Sequence, residues 1–218
     1  MSEKLVVWGA SSHALIVADI IRLRGDYEIV GFLDSINLER AGTEFCDAPI
    51  LGGEEKLDDL RQQGIGHMIL GIGSGRARLR LADLARSKGF LLATAIHPSA
   101  VIASDVQFGE GTVILAGAIV NPGALLGNNV VIATHASVEH ECSLDDGAFI
   151  GAGVHMGGNV NVGPSATVEI GATIARRLRI GAGSVVGAGS VVLHDIPSNV
   201  LAYGAPARVI REITGYDY

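Results

Sequence analysis

From Ile102 to Pro197 the chain can be written in sixes without a gap: IASDVQ, FGEGTV, ILAGAI, VNPGAL, LGNNVV, IATHAS, VEHECS, LDDGAF, IGAGVH, MGGNVN, VGPSAT, VEIGAT, IARRLR, IGAGSV, VGAGSV, VLHDIP. Of these 16 hexads, fourteen open on Ile, Leu or Val, and the other two on Phe108 and Met156. The fifth position is always uncharged and mostly small, and the second is often Gly. Ordinary strand alternation gives a few such matches by chance, but not an unbroken run in one frame. A hexapeptide period is the signature of a β-helix. Each hexad supplies one short strand whose first residue points inward and stacks on the next coil. The fifth must be small because it lies inside near a corner, and Gly and Asn serve the turns, where φ > 0 is often needed.

Residues 4–96 follow a different grammar. "KLVVWGA" (Lys4–Ala10) is a short apolar run ending in glycine, as a buried parallel strand would be. "HALIVADIIRLRG" carries a helical apolar stripe and places Gly25 as its C-cap. Further strands are predicted at 28–34, 67–73 and 90–97, with helices at 53–64 and 76–89. Strand and helix in alternation imply a small parallel sheet with helices on its faces. The fold class is therefore an α/β N-terminal domain with a small parallel sheet, residues 1–97, followed by an all-β helix with a C-terminal tail, residues 98–218.

The formal charge of −7 argues against a nucleic-acid surface, though not against a local basic patch for a phosphate ligand. Thirty glycines and 5% aromatic residues fit many tight turns and a core of small aliphatic side chains. Two cysteines, Cys46 and Cys142, suggest neither a disulfide framework nor a zinc ribbon. The start "MSEKLVVWGA" lacks a signal-peptide layout and no apolar run reaches membrane-spanning length. The expectation is a cytoplasmic protein that binds neither nucleic acid nor membrane.

In the hexad frame His140 is the third residue of VEHECS and should point outward near a turn, with Glu141 beside it. Val138 and Cys142 take the inward positions, which makes Cys142 a core filler. A histidine beside a carboxylate is suited to accept a proton near neutral pH, the carboxylate fixing the tautomer. On these residues alone a working base and an exposed polar patch stand level.

The hexads resemble the left-handed parallel β-helix of hexapeptide-repeat acyltransferases, in which three hexads make one triangular coil and residues 18 apart stack. The stretches "WGASSHALIVADII", "GFLDS", "IHPSAVI", "THASVEHEC", "GGNVNVG" and "AYGAPARVI" together resemble the PglD/NeuD-type nucleotide-sugar acetyltransferases. That resemblance implies an acetyl-CoA-dependent N-acetyltransferase, a homotrimer, acting on a nucleotide-linked 4-amino-4,6-dideoxy sugar in glycan biosynthesis, with no metal. It implies His140 as general base and Glu141 as its partner. Adding 18 to 140 gives Gly158, whose backbone N–H is then an oxyanion donor. Where some relatives carry a second active-site histidine, this chain has Phe149.

For the nucleotide the resemblance points to the turn Gly9–His13, hence Ser11, Ser12 and His13, to Asp34 after the second strand, and to Gly73 and Ser74 after the third. A strand–Gly–helix turn can hold a diphosphate, but it is a weak signal by itself. For acetyl-CoA it points to Gly158, His155, Arg177, Ala188, Gly204 and Pro206. Arg176, Arg177, Arg179, Arg208 and Arg211 make that end locally basic. Three other readings stay open: an O-acetyltransferase of the sialate type, a metalloenzyme of the γ-carbonic-anhydrase type using His135 and His140, and an inert binding scaffold.

Overall fold

The computed structural model describes residues 2–214; the end of the predicted second domain, 215–218, lies outside them. The N-terminal unit is built from β1 (Glu3–Trp8), α1 (Ser12–Arg24), β2 (Tyr27–Leu33), β3 (Glu44–Phe45), β4 (Ala48–Gly52), α2 (Leu57–Gln62), β5 (His67–Leu70), α3 (Gly75–Ser87) and β6 (Leu91–Leu92). The sheet order is β3-β4-β2-β1-β5-β6, parallel except for the β3–β4 hairpin. The chain leaves β1 toward β2 on one side and reaches β5 on the other, so a crevice opens at the carboxyl ends of these strands. Gly25, in the left-handed region at φ 71°, caps α1 and donates to Ile21 O.

Three expectations change here. Strand β4 is absent from the sequence reading because Pro49 interrupts its apolar run; it lies between β2 and the short β3, with Pro49 opposite Glu44. The single strand expected over 90–97 is two: Leu91–Leu92 closes the α/β sheet, and Ala95–Ile96 is already the first rung of the β-helix. The expected helix over 53–64 is shorter, opening with a 3₁₀ turn at Glu54–Lys56.

From Ala95 the chain winds as a left-handed β-helix of two-residue rungs stacked in three parallel sheets. The first face runs from Ala95–Ile96 to Val185–Val186, the second from Val101–Ile102 to Val191–Val192, and the third from Gln107–Phe108 to Arg179–Ile180. Register is 18 residues throughout, as in Ser137↔His155 and Val138↔Met156. Every first-position residue from Ile114 to Val192 is buried, as is Cys142. Phe108 departs from the inward pattern: it is 40% exposed, because it belongs to the first coil, which has no coil beneath it on that face.

Corner conformation explains two kinds of glycine. The fourth hexad position takes φ > 0 at every corner from Gly111 to Gly189, whether Gly, Asn, His, Glu, Ser or Arg occupies it. The second-position glycines serve another purpose. A Cβ at Gly157 would lie 2.7 Å from Arg176 N, so glycine there lets the next coil stack. The C-terminal strands Val200–Gly204 and Ala207–Glu212 form an antiparallel hairpin that extends the first face.

The α/β unit covers that first face. Its outward residues Val113, Val131 and Phe149 share a core with Ala14, Val17, Ala18 and Ile21 of α1. Helix α3 lies on the corner between the third and first faces, close enough that a Cβ at Gly75 would meet Gly147 O at 2.3 Å. The fully buried Arg78 pins this seam, donating to the carbonyls of Ile72, Gly73, Asn129 and Gly147. Burial lowers its pKa to about 10, so it stays cationic at neutral pH.

Candidate active site

His140 and Glu141 occupy the corner between the second and third faces, the one opposite the covered first face. Both side chains are more than half exposed, and His140 Nδ1 lies 3.2 Å from Glu141 Oε2. One coil further on, Asn159 Nδ2 donates to the same carboxylate oxygen at 2.9 Å. The Asn159 amide, then His140, hold the Glu141 carboxyl below its usual range, so it is an anion at neutral pH. Glu141 also sits at φ 57°, which costs a non-glycine residue about 1 kcal/mol. The same conformation recurs at every corner from Gly111 to Gly189, so it belongs to the coil and not to this site alone.

Gly158 lies directly beneath the imidazole. A Cβ there would sit 2.4 Å from His140 Nε2 and 2.6 Å from Cε1. Only a glycine leaves the ring in place and the backbone open beside Nε2. The Gly158 carbonyl accepts from Arg177 N, and among the described residues its N–H has no protein acceptor. Cys142 is buried with its Sγ near Gly157 O, and burial pushes the thiol up, as suits a core filler.

The residues expected to meet acetyl-CoA climb one side of the helix. His155 stands on the second face, its Nδ1 2.8 Å from Ser137 Oγ. Gly158 shares its coil, Arg177 lies one coil later, Ala188 one later again, and Gly204 and Pro206 follow in the terminal hairpin. At about 4.8 Å per coil that series spans on the order of 20 Å. His135 and His140 lie on different corners, and among the described residues no three His, Cys, Asp or Glu side chains cluster as metal ligands would.

The crevice at the strand ends is a cleft of about 280 Å³. It brings together Ser11, Asp34 and Gly73 with Trp8, Arg40 and Arg80, which the sequence reading does not single out. They converge from the end of β1, a 3₁₀ turn at Leu38–Arg40 and helix α3, so no local spacing marks them. Asp34 is almost fully buried. Burial would raise its pKa, but the N–H groups of Asn37 and Ile36, the Asn37 side chain and Arg40 outweigh that and hold it low. Its oxygens accept from Ile36 N, Asn37 N and Arg40 Nη1 at 2.9–3.1 Å, closing the loop beneath the cleft.

Ser12, His13 and Ser74 are not among the cleft's lining residues. Ser74 caps α3 instead, its hydroxyl accepting from Ala77 N. His13 faces the seam with the β-helix, edge-on to Phe149 at 6.4 Å between ring centroids. Its Nε2 is buried with no partner, and burial, then the Arg78 charge, lower its pKa to about 4. Phe149 thus belongs to the domain seam on the first face, away from the His140 corner.

The family model of the PglD N-terminal domain matches residues 4–84. The structure of a histidine-to-alanine variant of GDP-perosamine N-acetyltransferase from Caulobacter crescentus, in complex with CoA and GDP-perosamine, is 35% identical, with a TM-score of 0.91 over 96% of this chain and 97% of that one. The acetyltransferase domain of PglB from Neisseria gonorrhoeae, in complex with acetyl coenzyme A, is 32% identical, with a TM-score of 0.89 over 96% of this chain and 100% of that one. WeeI from Acinetobacter baumannii, at 22% identity and a TM-score of 0.74, shares the fold over 96% of this chain and 100% of its own. Comparison with curated protein sequences gave no match.

Proposed function

Because the chain belongs to the PglD/NeuD-type family of nucleotide-sugar acetyltransferases, we propose that it moves an acetyl group from acetyl-CoA to the amino group of a nucleotide-linked 4-amino-4,6-dideoxy sugar. The observation that carries this reading is the His140 ring, backed by the Glu141 anion and lying on Gly158.

Histidine as a residue type titrates near neutrality and can take a proton in one step and return it in the next. Glu141 at Nδ1 selects the tautomer that leaves Nε2 free. The sugar ammonium gives one proton to solvent; the neutral amine then attacks the thioester carbonyl carbon while His140 Nε2 removes a second proton from the nitrogen. The tetrahedral oxyanion accepts from the Gly158 N–H. The C–S bond breaks, the CoA thiolate leaves, and the imidazolium returns the proton to sulfur.

The N-terminus of α1 borders the cleft and carries no acidic residue in its first turn, which suits the diphosphate of a nucleotide sugar. Asp34, Ser11 and Gly73 serve the nucleotide there, with Ser12, His13 and Ser74 close by in the chain. Acetyl-CoA follows His155, Gly158, Arg177 and Ala188 to Gly204 and Pro206. The cleft belongs to the unit on the first face, and its lining includes no residue of the opposite corner. A homotrimer resolves this: the sugar held by one subunit meets His140 of its neighbour.

The test is CoA-thiol release from acetyl-CoA with UDP-, GDP- and dTDP-linked 4-amino sugars and matched 4-hydroxy sugars, the acetylated atom being located by NMR. Release with one amino acceptor and an amide product is expected. An ester product would make the enzyme an O-acetyltransferase, and no release with any acceptor would refute the reading.

A further inference from the structure

We infer that Asn159 is a positioning residue for the acetyl transfer, acting on His140 through Glu141; the inference rests on the function proposed above. Asn159 is one coil from Glu141 in the same corner column. Its backbone N–H donates to His140 O at 2.9 Å, a bond made at other corners too, as by Glu141 N to Pro122 O and Arg177 N to Gly158 O. A side-chain bond across one coil is also made by Asn128 Nδ2 to Asp146, but here the carboxylate that accepts it also faces a histidine. Asn159 Nδ2 donates to Glu141 Oε2, the oxygen that faces His140 Nδ1. At another asparagine corner, Asn129, neither side-chain polar atom has a partner.

The left-handed conformation alone does not call for this side chain. Asn159 sits at φ 60°, where glycine is at ease and is used at many other corners. Asparagine adds a donor that reaches back one coil. Glu141 is exposed and would otherwise sample several rotamers, and its carboxylate can fix the imidazole only while it is itself fixed. Three residues then act in series, with only the histidine touching substrate.

Asn159→Gly removes the amide without backbone strain, and Asn159→Asp keeps the shape but replaces the donor with an anion facing Glu141. Both should lower kcat by about 10- to 100-fold with little change in KM for acetyl-CoA. In a Glu141→Gln background, Asn159→Gly should cost less than about 3-fold, since groups acting as a unit are not additive. A merely structural residue would cost the same in both backgrounds.

A second readout is independent of turnover. Long-range ¹H–¹⁵N spectra of histidine-labelled protein report the His140 tautomer, assigned by its loss in His140→Asn. The wild type should show the Nδ1–H form, and Asn159→Gly a mixture. An unchanged tautomer, or equal kcat losses in the two backgrounds, overturns the inference. Should wild type release no CoA with any acceptor, the spectra still decide whether Asn159 orders the ring, so the two failures are distinct.

Discussion

Replacing Gly158 with alanine tests whether the space beside His140 is what the site requires. The added Cβ would lie 2.4 Å from Nε2, 2.6 Å from Cε1 and 3.0 Å from Cδ2. Carbon and nitrogen in contact settle at about 3.5 Å, so the ring must swing by about 1 Å. It can do so cheaply, because the side chain is 58% exposed. Gly158 is outside the left-handed region, so alanine adds no backbone strain. Unfolding free energy should change by less than about 1 kcal/mol. Catalysis should not be spared: a reacting group misplaced by about 1 Å can cost about 100-fold. The assay is kcat and KM for both substrates, with a urea denaturation curve on the same preparation. A fall in kcat of about 100-fold at unchanged stability is expected. Full activity would refute the view that the ring position matters, and a parallel loss of stability would show Gly158 to be a packing residue.

Two further substitutions separate packing from chemistry. Gly157→Ala places its Cβ 2.7 Å from Arg176 N and 2.9 Å from its Cα, which are backbone atoms that cannot swing away; it should cost about 2 kcal/mol in urea denaturation. His13 has a pKa lowered from 6.5 to about 4, so between those values the unfolded chain binds a proton that the folded chain refuses. Stability should therefore fall as pH drops from 6.5 toward 4, by at most about 3 kcal/mol before allowing for solvent at the ring. His13→Gln should flatten that part of the stability–pH curve, and an unchanged slope would contradict the buried neutral imidazole.

The β-helix was legible because stacking fixes chemistry at every sixth residue, and one frame with one phase suffices to see it. The same 18-residue arithmetic that leads from His140 to Gly158 leads from Glu141 to Asn159, yet only the structure shows the carboxylate shared between them. Outward residues carry a second signal. Val113, Val131 and Phe149 are apolar at 18-residue spacing, whereas the third-face column Gln107, Leu125, Ser143 and Asn161 is polar at all but Leu125. That contrast marks the face covered by the α/β unit. The cleft was less legible. Trp8, Arg40 and Arg80 come from separate elements, and Arg40 reaches Asp34 and Ala10 O only through tertiary folding. His13 lies in a recognisable turn, but its ring faces the domain seam, which local sequence does not reveal.

The central claim is that His140 is the base, and the direct measurement compares wild type with His140→Asn in acetyl transfer to the accepted amino sugar across pH. Asparagine can occupy the exposed corner but cannot accept and return a proton near neutral pH. Loss of kcat by a factor on the order of 100 to 10,000, with acetyl-CoA still bound, is the predicted result. An Asn variant that turns over at wild-type rate would contradict it.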